Sequence, residues 1–338
     1  MSATEHLAYA LGKPSVSGVI RSQPEDFQVD EELGFNLTGE GEHVCLHIRK
    51  RNANTDFIAK QVARLADVKN MDVSYAGLKD RHAVTTQWFS IYLSNKPDPD
   101  WSQLNSDEVE VLEVKRHNRK LRRGSLKGNH FKLVVRELDG DTSSFEQRLQ
   151  TISNNGVPNY FGEQRFGRDN LAKAAGLFNA EFKVKDRNKR SMYLSAARSA
   201  IFNEVLSTRV AAASWNRALA GDVMMLNGSH SVFSVETVDD EINRRMAEFD
   251  IHPTGPMWGR GRLPSIAETQ QLEQQCADNF ALFCGGLEKA GMKQERRALR
   301  LPVSKLEWQL NDNNLSLSFF LSSGCYATSV LRELVLCR

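Results

Sequence analysis

The first 150 residues hold too many short strand-like runs for a helix to stand between each pair of them, and this density limits the fold more than any other feature. Gly41 to Lys50 alternates, with Val44, Leu46 and Ile48 set against Cys45, His47 and Arg49. That is the period of a half-buried strand. Further strands are expected at Val73–Leu78, Gln87–Leu93, Glu108–Val114 and Phe131–Val135. One helix falls among them, with Asn54-Thr55-Asp56 able to cap it and Ile58, Val62, Leu65 and Ala66 at helical spacing. Parallel βαβ units would demand more helices, so the expectation is an α+β fold built on a mixed, mainly antiparallel sheet.

Later segments read differently. Ser94 to Asp107 holds two prolines and several small polar residues, and is expected to be a loop. Leu194 to Ala213 is a long amphipathic helix and Ser265 to Leu287 a second helical stretch. Leu315–Leu321 reads as a strand and Ala327–Leu336 as a closing helix. The chain shows neither internal repeats nor low-complexity tracts.

The most informative local feature is the end of the Val73–Leu78 run. It breaks off into Lys79-Asp80-Arg81-His82, which puts one carboxylate at a strand end beside three groups that can carry positive charge. Nearby opposite charge favours the charged form of a carboxylate, and a carboxylate so held can serve as nucleophile or base. A solvated surface loop is the plain alternative for four such residues.

Composition narrows the classes. Of 338 residues, 41% are hydrophobic and 25% charged, as in ordinary globular chains, and the length suits about two domains. Five cysteines without Cys-x-x-Cys spacing argue for a reducing compartment. The residues from Met1 to Ser15 do not read as a signal peptide, and no apolar run reaches the roughly 18–20 residues that cross a bilayer. A soluble cytoplasmic protein, without a membrane partner, is expected.

The net charge is only +2, so attraction to a polyanion has to come from local clusters. Lys115 to Lys127 carries seven Lys or Arg in thirteen positions, among them Arg119, Lys120, Arg122, Arg123 and Lys127. Lys183, Lys185, Arg187, Lys189 and Arg190 form a second cluster, and Lys293, Arg296, Arg297 and Arg300 a third. Any one of them could be a solvated face; three together are the footprint of a phosphate-contacting surface. Other patterns lead nowhere. His43-x-Cys45-x-His47 lacks the companion ligands that zinc needs. Gly162 to Gly167 is neither a phosphate loop nor a dinucleotide fingerprint. A methyltransferase would need a glycine-rich cofactor loop after a strand, and none is seen.

The chain resembles the TruD family of tRNA pseudouridine synthases from about Gly12 to Leu336. The resemblance rests on Gly12-Lys-Pro14, Pro24-Glu-Asp-Phe27, Gly39-Glu-Gly-Glu-His43, Gly77 to Thr85, Leu126-Lys-Gly-Asn-His-Phe131, Gly156 to Gly167, Asp186-Arg-Asn-Lys-Arg190 and Gly324 to Leu334, in that order. It implies conversion of a uridine of tRNA to pseudouridine, at position 13 in bacterial members, with no cofactor and no metal. It implies that Asp80 is the required aspartate, with Arg21 as its salt-bridge partner beside Lys79. Phe27, Asn129 and Tyr326 match the family's lining of the uracil pocket, and Phe131, one strand step past Asn129, would face the same side. Close relatives often carry Phe where this chain has Tyr326. A catalytic domain of residues 1–151 and 303–338 is implied, with 152–302 inserted as a second domain and tRNA held in a cleft. The basic residues expected at the RNA are Arg119, Lys120, Arg122, Arg123, Lys127, Arg187, Lys189 and Arg190. The alternative is a non-catalytic RNA-binding or chaperone module with the same fold, against which the intact Lys79-Asp80 and Asn129 argue.

Overall fold

In a computed structural model of the chain, residues 3–94 and 96–338 are described. They form two compact units. A sheet unit comprises residues 15–142, 303–325 and 335–338, and a helix-rich unit comprises residues 1–14, 143–302 and 326–334.

Ten strands make up the sheet unit: β1 (Ser17–Ile20), β2 (Phe27–Leu33), β3 (His43–Arg51), β4 (Val73–Tyr75), β5 (Val84–Tyr92), β6 (Val109–His117), β7 (Leu126–Asp139), β8 (Ser304–Asn311), β9 (Asn314–Ser322) and β10 (Leu336–Cys337). Their order is β8-β9-β7-β2-β5-β3-β6, with β4 beside β5 and β1 beside β7 and β10. The β2–β5 and β1–β10 pairs are parallel and the other pairs antiparallel, so the sheet is mixed and mainly antiparallel. β1 and β2 pair in turn with β7 along one edge, β1 at Val135 to Asp139 and β2 at Leu126 to Leu133. The residues between them must leave the ladder, and this is where Arg21 adopts a left-handed φ of 59°. Such a conformation costs a non-glycine residue on the order of 1–3 kcal/mol and persists only where surrounding contacts enforce it.

Helix α1 (Thr55–Leu65) covers one face of the sheet. Eleven residues are marginal as an isolated helix, so packing holds it. Ile58 and Val62 lie fully buried against Val44, Leu46, Ile48, Phe89 and Ile91, and each such aliphatic side chain contributes roughly 1.5–3 kcal/mol on full burial. Asn54 takes the cap position, but its side chain makes no cap bond. The hydroxyl of Thr55 turns inward instead and donates to Gln87 Oε1 at 2.8 Å.

The expected strand Val73–Leu78 ends early, at Tyr75, because the amide of Gly124 and the side chains of Gln87 and Thr55, rather than a neighbouring strand, take backbone groups that follow. The loop before Asp107 contains a short 3-10 turn, Trp101–Leu104, with Trp101 buried; Asn95 within it lies outside the described residues. The closing helix covers only Ala327–Arg332, and the chain then runs into β10.

In the helix-rich unit the long helix begins earlier than its apolar pattern suggests. It spans Arg187–Ala211, and Asp186 caps it by accepting from the amides of Asn188 and Lys189 at 2.8 and 3.1 Å. The expected helix at Ser265–Leu287 is two, Ala267–Asp278 and Ala281–Lys289. A four-stranded sheet of Val223–Leu226, Val232–Ser234, Ile251–Met257 and Glu295–Ala298 packs with them. The third basic cluster turns largely inward. Arg296 pairs with the buried Glu273 at 2.6 Å, and Arg300 is buried and donates to the carbonyls of Met246 and Ile251.

Arg209 and Asp222 form a fully buried pair in this unit, joined by bonds of 2.7 and 3.0 Å. The guanidinium also donates to the carbonyls of Ser214 and Arg217, and Asp222 also accepts from the amide of Leu219 and the hydroxyl of Thr269. Removing one partner strands the other charge in the interior. Asp222→Ala should therefore lose about 3–5 kcal/mol of stability, read as a lowered denaturant midpoint of the helix-rich unit. A loss below about 1 kcal/mol would show that the network carries little.

Candidate active site

The site is built on the α1 face of the sheet. Strand alternation puts Phe27, Val29 and Glu31 of β2 on one face, opposite Leu133, Phe131 and Asn129 of β7. Lys50 of β3 pairs with Thr85 of β5, which in turn pairs with Val29. Glu31, Lys50, Gln87 and Asn129 thus sit on the same face as the apolar side chains under α1.

Asp80 lies in the loop between β4 and β5. Its Oδ2 accepts from Arg21 Nη2 at 2.8 Å, and the Arg21 guanidinium stands 4.1 Å above the centre of the Phe27 ring. The left-handed turn at Arg21 thus aims one cation at the aspartate and at an aromatic face together. On the β2 side, Asp26 accepts from the amide of Gln23 at 3.1 Å. Asp26 is buried and receives Arg136 through both carboxylate oxygens at 2.7–3.0 Å. Burial works against its ionisation, but the Arg136 bonds prevail and hold the carboxyl below the usual range.

Lys79 points the other way. Its Nζ lies 2.9 Å from Glu31 Oε2 and donates to Asn129 Oδ1 at 2.5 Å. Both ends of the Lys79–Glu31 pair are buried. Burial raises the Glu31 carboxyl above its ordinary value, with Lys79 opposing the shift. An ammonium can only donate, so Asn129 must present its oxygen to Lys79, which leaves its NH₂ for another acceptor. Phe131 meets Phe27 edge-on at 6.3 Å and stacks on Phe319 at 5.5 Å. Phe27 and Phe131 are 3% and 6% exposed, so they form the floor of the site rather than freestanding platforms.

Lys50 was not among the residues singled out by the sequence. It is fully buried. Its Nζ donates to the backbone carbonyls of Ala53 at 2.7 Å and Asp80 at 3.1 Å, which fixes the main chain of the aspartate from below. Burial pushes its pKa down to about 8; the Asp80 charge opposes this shift and Lys79 adds to it. Lys50 shares strand parity with Val44, Leu46 and Ile48, and Glu31 shares it with Phe27 and Val29. A charged residue on the apolar parity of a strand was the signal that could have found both.

Arg21, Phe27, Lys79, Asp80, Asn129 and Phe131 are thus brought together within the sheet unit. Tyr326 belongs to the helix-rich unit. There it precedes the Ala327–Arg332 helix, its hydroxyl accepts from Arg165 Nη2 at 2.6 Å, and its ring meets Phe161 at 6.2 Å. Arg119, Lys120, Arg122 and Arg123 are exposed on the loop between β6 and β7, and the amide of Gly124 ties that loop to the carbonyl of Ala76 at 3.0 Å. Lys127 is exposed and bonded to Glu32 at 2.6 Å. Arg187, Lys189 and Arg190 are exposed in the first turn of their helix. His43 and His47 lie on β3 beside Tyr92 and Trp88, and the thiol of Cys45 between them is buried and pushed up to about 12.

The Lys50 pKa has a consequence for stability. A lysine that holds its proton less tightly when folded binds fewer protons than the unfolded chain between about pH 8 and 10.5. Over that window stability rises with pH, by at most about 1.4 kcal/mol per unit, and below it the contribution is flat. The stability difference between wild type and Lys50→Met should therefore move in favour of wild type from pH 8 to 10. Denaturant melts at several pH values check this; a constant difference would mean that Lys50 is not depressed.

The family model described as tRNA pseudouridine synthase D (TruD) matches residues 3–178 and 169–334 of the chain. The chain is 52% identical to tRNA pseudouridine synthase D of Methylococcus capsulatus, over 98% of its own length and 94% of that protein. It is 50% identical to the protein of the same name from Aeromonas hydrophila, again over 98% and 94%. Its fold is similar to that of a crystal structure assigned to tRNA pseudouridine synthase D from Methanosarcina mazei, with a TM-score of 0.74 at 21% identity, over 97% of this chain and 95% of the other. With relatives at half identity across nearly the whole length, the chain belongs to the tRNA pseudouridine synthase D family.

Proposed function

We propose that this protein converts a uridine of tRNA, the one at position 13, into pseudouridine, and that Asp80 is the carboxylate that does it. The observation that carries this reading is the placement of Asp80: ion-paired to Arg21, its backbone carbonyl held by Lys50, and beside a buried aromatic floor and a fixed amide. The reaction breaks the bond from ribose C1′ to uracil N1, which keeps the electron pair, turns the base and joins C1′ to C5; C5 then loses its proton and N1 gains one, so the net change is an isomerisation. Asp80 either attacks C1′ or takes a ribose proton, and both routes require a carboxylate oxygen aimed at the sugar.

Each neighbour has an assigned part. Arg21 orients the carboxylate. Asn129, its oxygen committed to Lys79, offers NH₂ to a uracil carbonyl. Phe27 and Phe131 wall the base; Tyr326, a residue of the other unit, is assigned a stacking role on the family resemblance alone. A base inside a folded RNA has to be extruded to reach such a group. The phosphates fall to Arg119, Lys120, Arg122, Arg123 and Lys127 near the site, and to Arg187, Lys189 and Arg190 on the other unit. Residues 1–151 with 303–338 are assigned as the catalytic domain and 152–302 as the inserted one. This division is supported by the chain's crossings between compact units at 142/143 and 302/303, although residues 1–14 and 326–334 cluster with the helix-rich unit. The protein acts where tRNA is modified, in the cytoplasm.

Pseudouridine mapping on unmodified tRNA incubated with the purified protein alone tests the activity. Asp80→Asn should bind tRNA as wild type does and form no product; binding by wild type itself without product would favour the RNA-binding alternative. Turnover of Asp80→Asn within tenfold of wild type would remove the aspartate from its role.

Reversing Arg119, Lys120, Arg122 and Arg123 to Glu should weaken tRNA binding steeply. The slope of log affinity against log salt should flatten by roughly 0.7–0.9 for each phosphate that is deprived of its cation. Unchanged affinity and slope would make this loop a merely solvated face.

A further inference from the structure

Two residues before Asp80, Leu78 is 69% exposed, in a loop whose other side chains are polar or turned inward. An exposed leucine is unremarkable by itself. What singles this one out is how firmly its backbone is held on both sides. The carbonyl of Gly77 accepts from Gln87 Nε2 at 3.2 Å, and the amide of Lys79 donates to Thr55 Oγ1 at 3.2 Å. Gln87 and Thr55 are 0% and 2% exposed and are bonded to each other at 2.8 Å. One buried polar pair thus clamps the peptide groups flanking Leu78, and Lys50 clamps the carbonyl of Asp80 two residues on. Space around Gly77 is open. The loop therefore presents an apolar side chain to solvent on a rigid backbone, its Cα within about 7 Å of that of Asp80.

A protein that extrudes a base leaves a gap in the RNA stack, and an apolar side chain can enter between the neighbouring bases as a wedge. Resting on the proposed function of Asp80, we propose that Leu78 is that wedge: it occupies the place of the target uridine and holds the stack open while Asp80 works on the flipped nucleotide. Its partner is the face of the adjacent bases, and the held backbone means that little loop ordering is lost on insertion.

The test places 2-aminopurine beside the target uridine in tRNA and reads its fluorescence on binding to Asp80→Asn, which forms the complex without turnover. With Leu78 present the fluorescence should change as the neighbour loses its stacking partner. With Leu78→Ala added, that change should shrink. In the otherwise wild-type enzyme, Leu78→Ala should lower kcat about tenfold to a hundredfold, leave the tRNA Kd within about twofold, and leave the melting temperature unmoved. Leu78→Met should recover most of the rate. An undiminished fluorescence change with normal kcat in Leu78→Ala would overturn the wedge, as would an effect confined to Kd, which would make Leu78 only part of the binding surface. Absence of pseudouridine from the wild-type reaction would count against the activity instead, since the fluorescence arm does not need turnover.

Discussion

A carboxylate held in one place on a loop needs its main chain fixed by something other than the sheet, because the loop exists where strand pairing stops. Here a buried Thr55–Gln87 pair and a buried lysine do the fixing. An unpaired polar group in the interior costs about 1–3 kcal/mol. Thr55, Gln87 and Lys50 can be interior residues because the loop peptides satisfy them, and the loop is ordered because these three need its carbonyls and amide. Without these bonds, the early end of β4 would leave a free segment beside Asp80.

Charge on this face is separated by direction. Lys79 and Asp80 are adjacent in sequence, yet Lys79 descends to Glu31 and Asn129 while Asp80 meets Arg21. The ammonium of Lys79 is thereby turned away from the aspartate. An arginine from a strained turn meets the carboxylate instead, and its flat guanidinium also lies over the Phe27 ring. A planar donor can serve a carboxylate and an aromatic face at once; an ammonium, a point charge, does each less well.

The fold class was legible because it depends on period: alternation shows in the outer half of β3 and along β9, whereas β5 is buried on both faces and was read from its apolar run. Boundaries were less so. The Val73–Leu78 run is apolar throughout, and nothing local reveals that side chains from Thr55 and Gln87 will claim its last peptides. The neighbourhood of Asp80 was legible through motifs: Arg21, Phe27, Lys79, Asn129 and Phe131 come together in one unit. Lys50 and Glu31 were passed over because charged residues are ordinarily read as solvent-facing, although their parity said otherwise. The third basic cluster failed for the opposite reason. Arg296 and Arg300 look like a phosphate surface in sequence, but their acceptors, Glu273 and the carbonyls of Met246 and Ile251, are distant along the chain and invisible without the fold.

The pairing of β9 with β7 bears on how the chain is made. β9 covers β7 over eight positions, from Leu315 against Val135 to Ser322 against Gly128. On the ribosome β7 emerges first, and all of residues 143–302 must follow before its partner does. At ordinary elongation rates that delay is on the order of ten seconds. Throughout it β7 is an edge strand carrying Phe131, Leu133 and Val135, the kind of edge that invites wrong pairing. The sheet that holds the aspartate thus closes only after the other unit has been synthesised, so the nascent protein passes through a stage in which protecting one open strand matters more than any contact of the finished site.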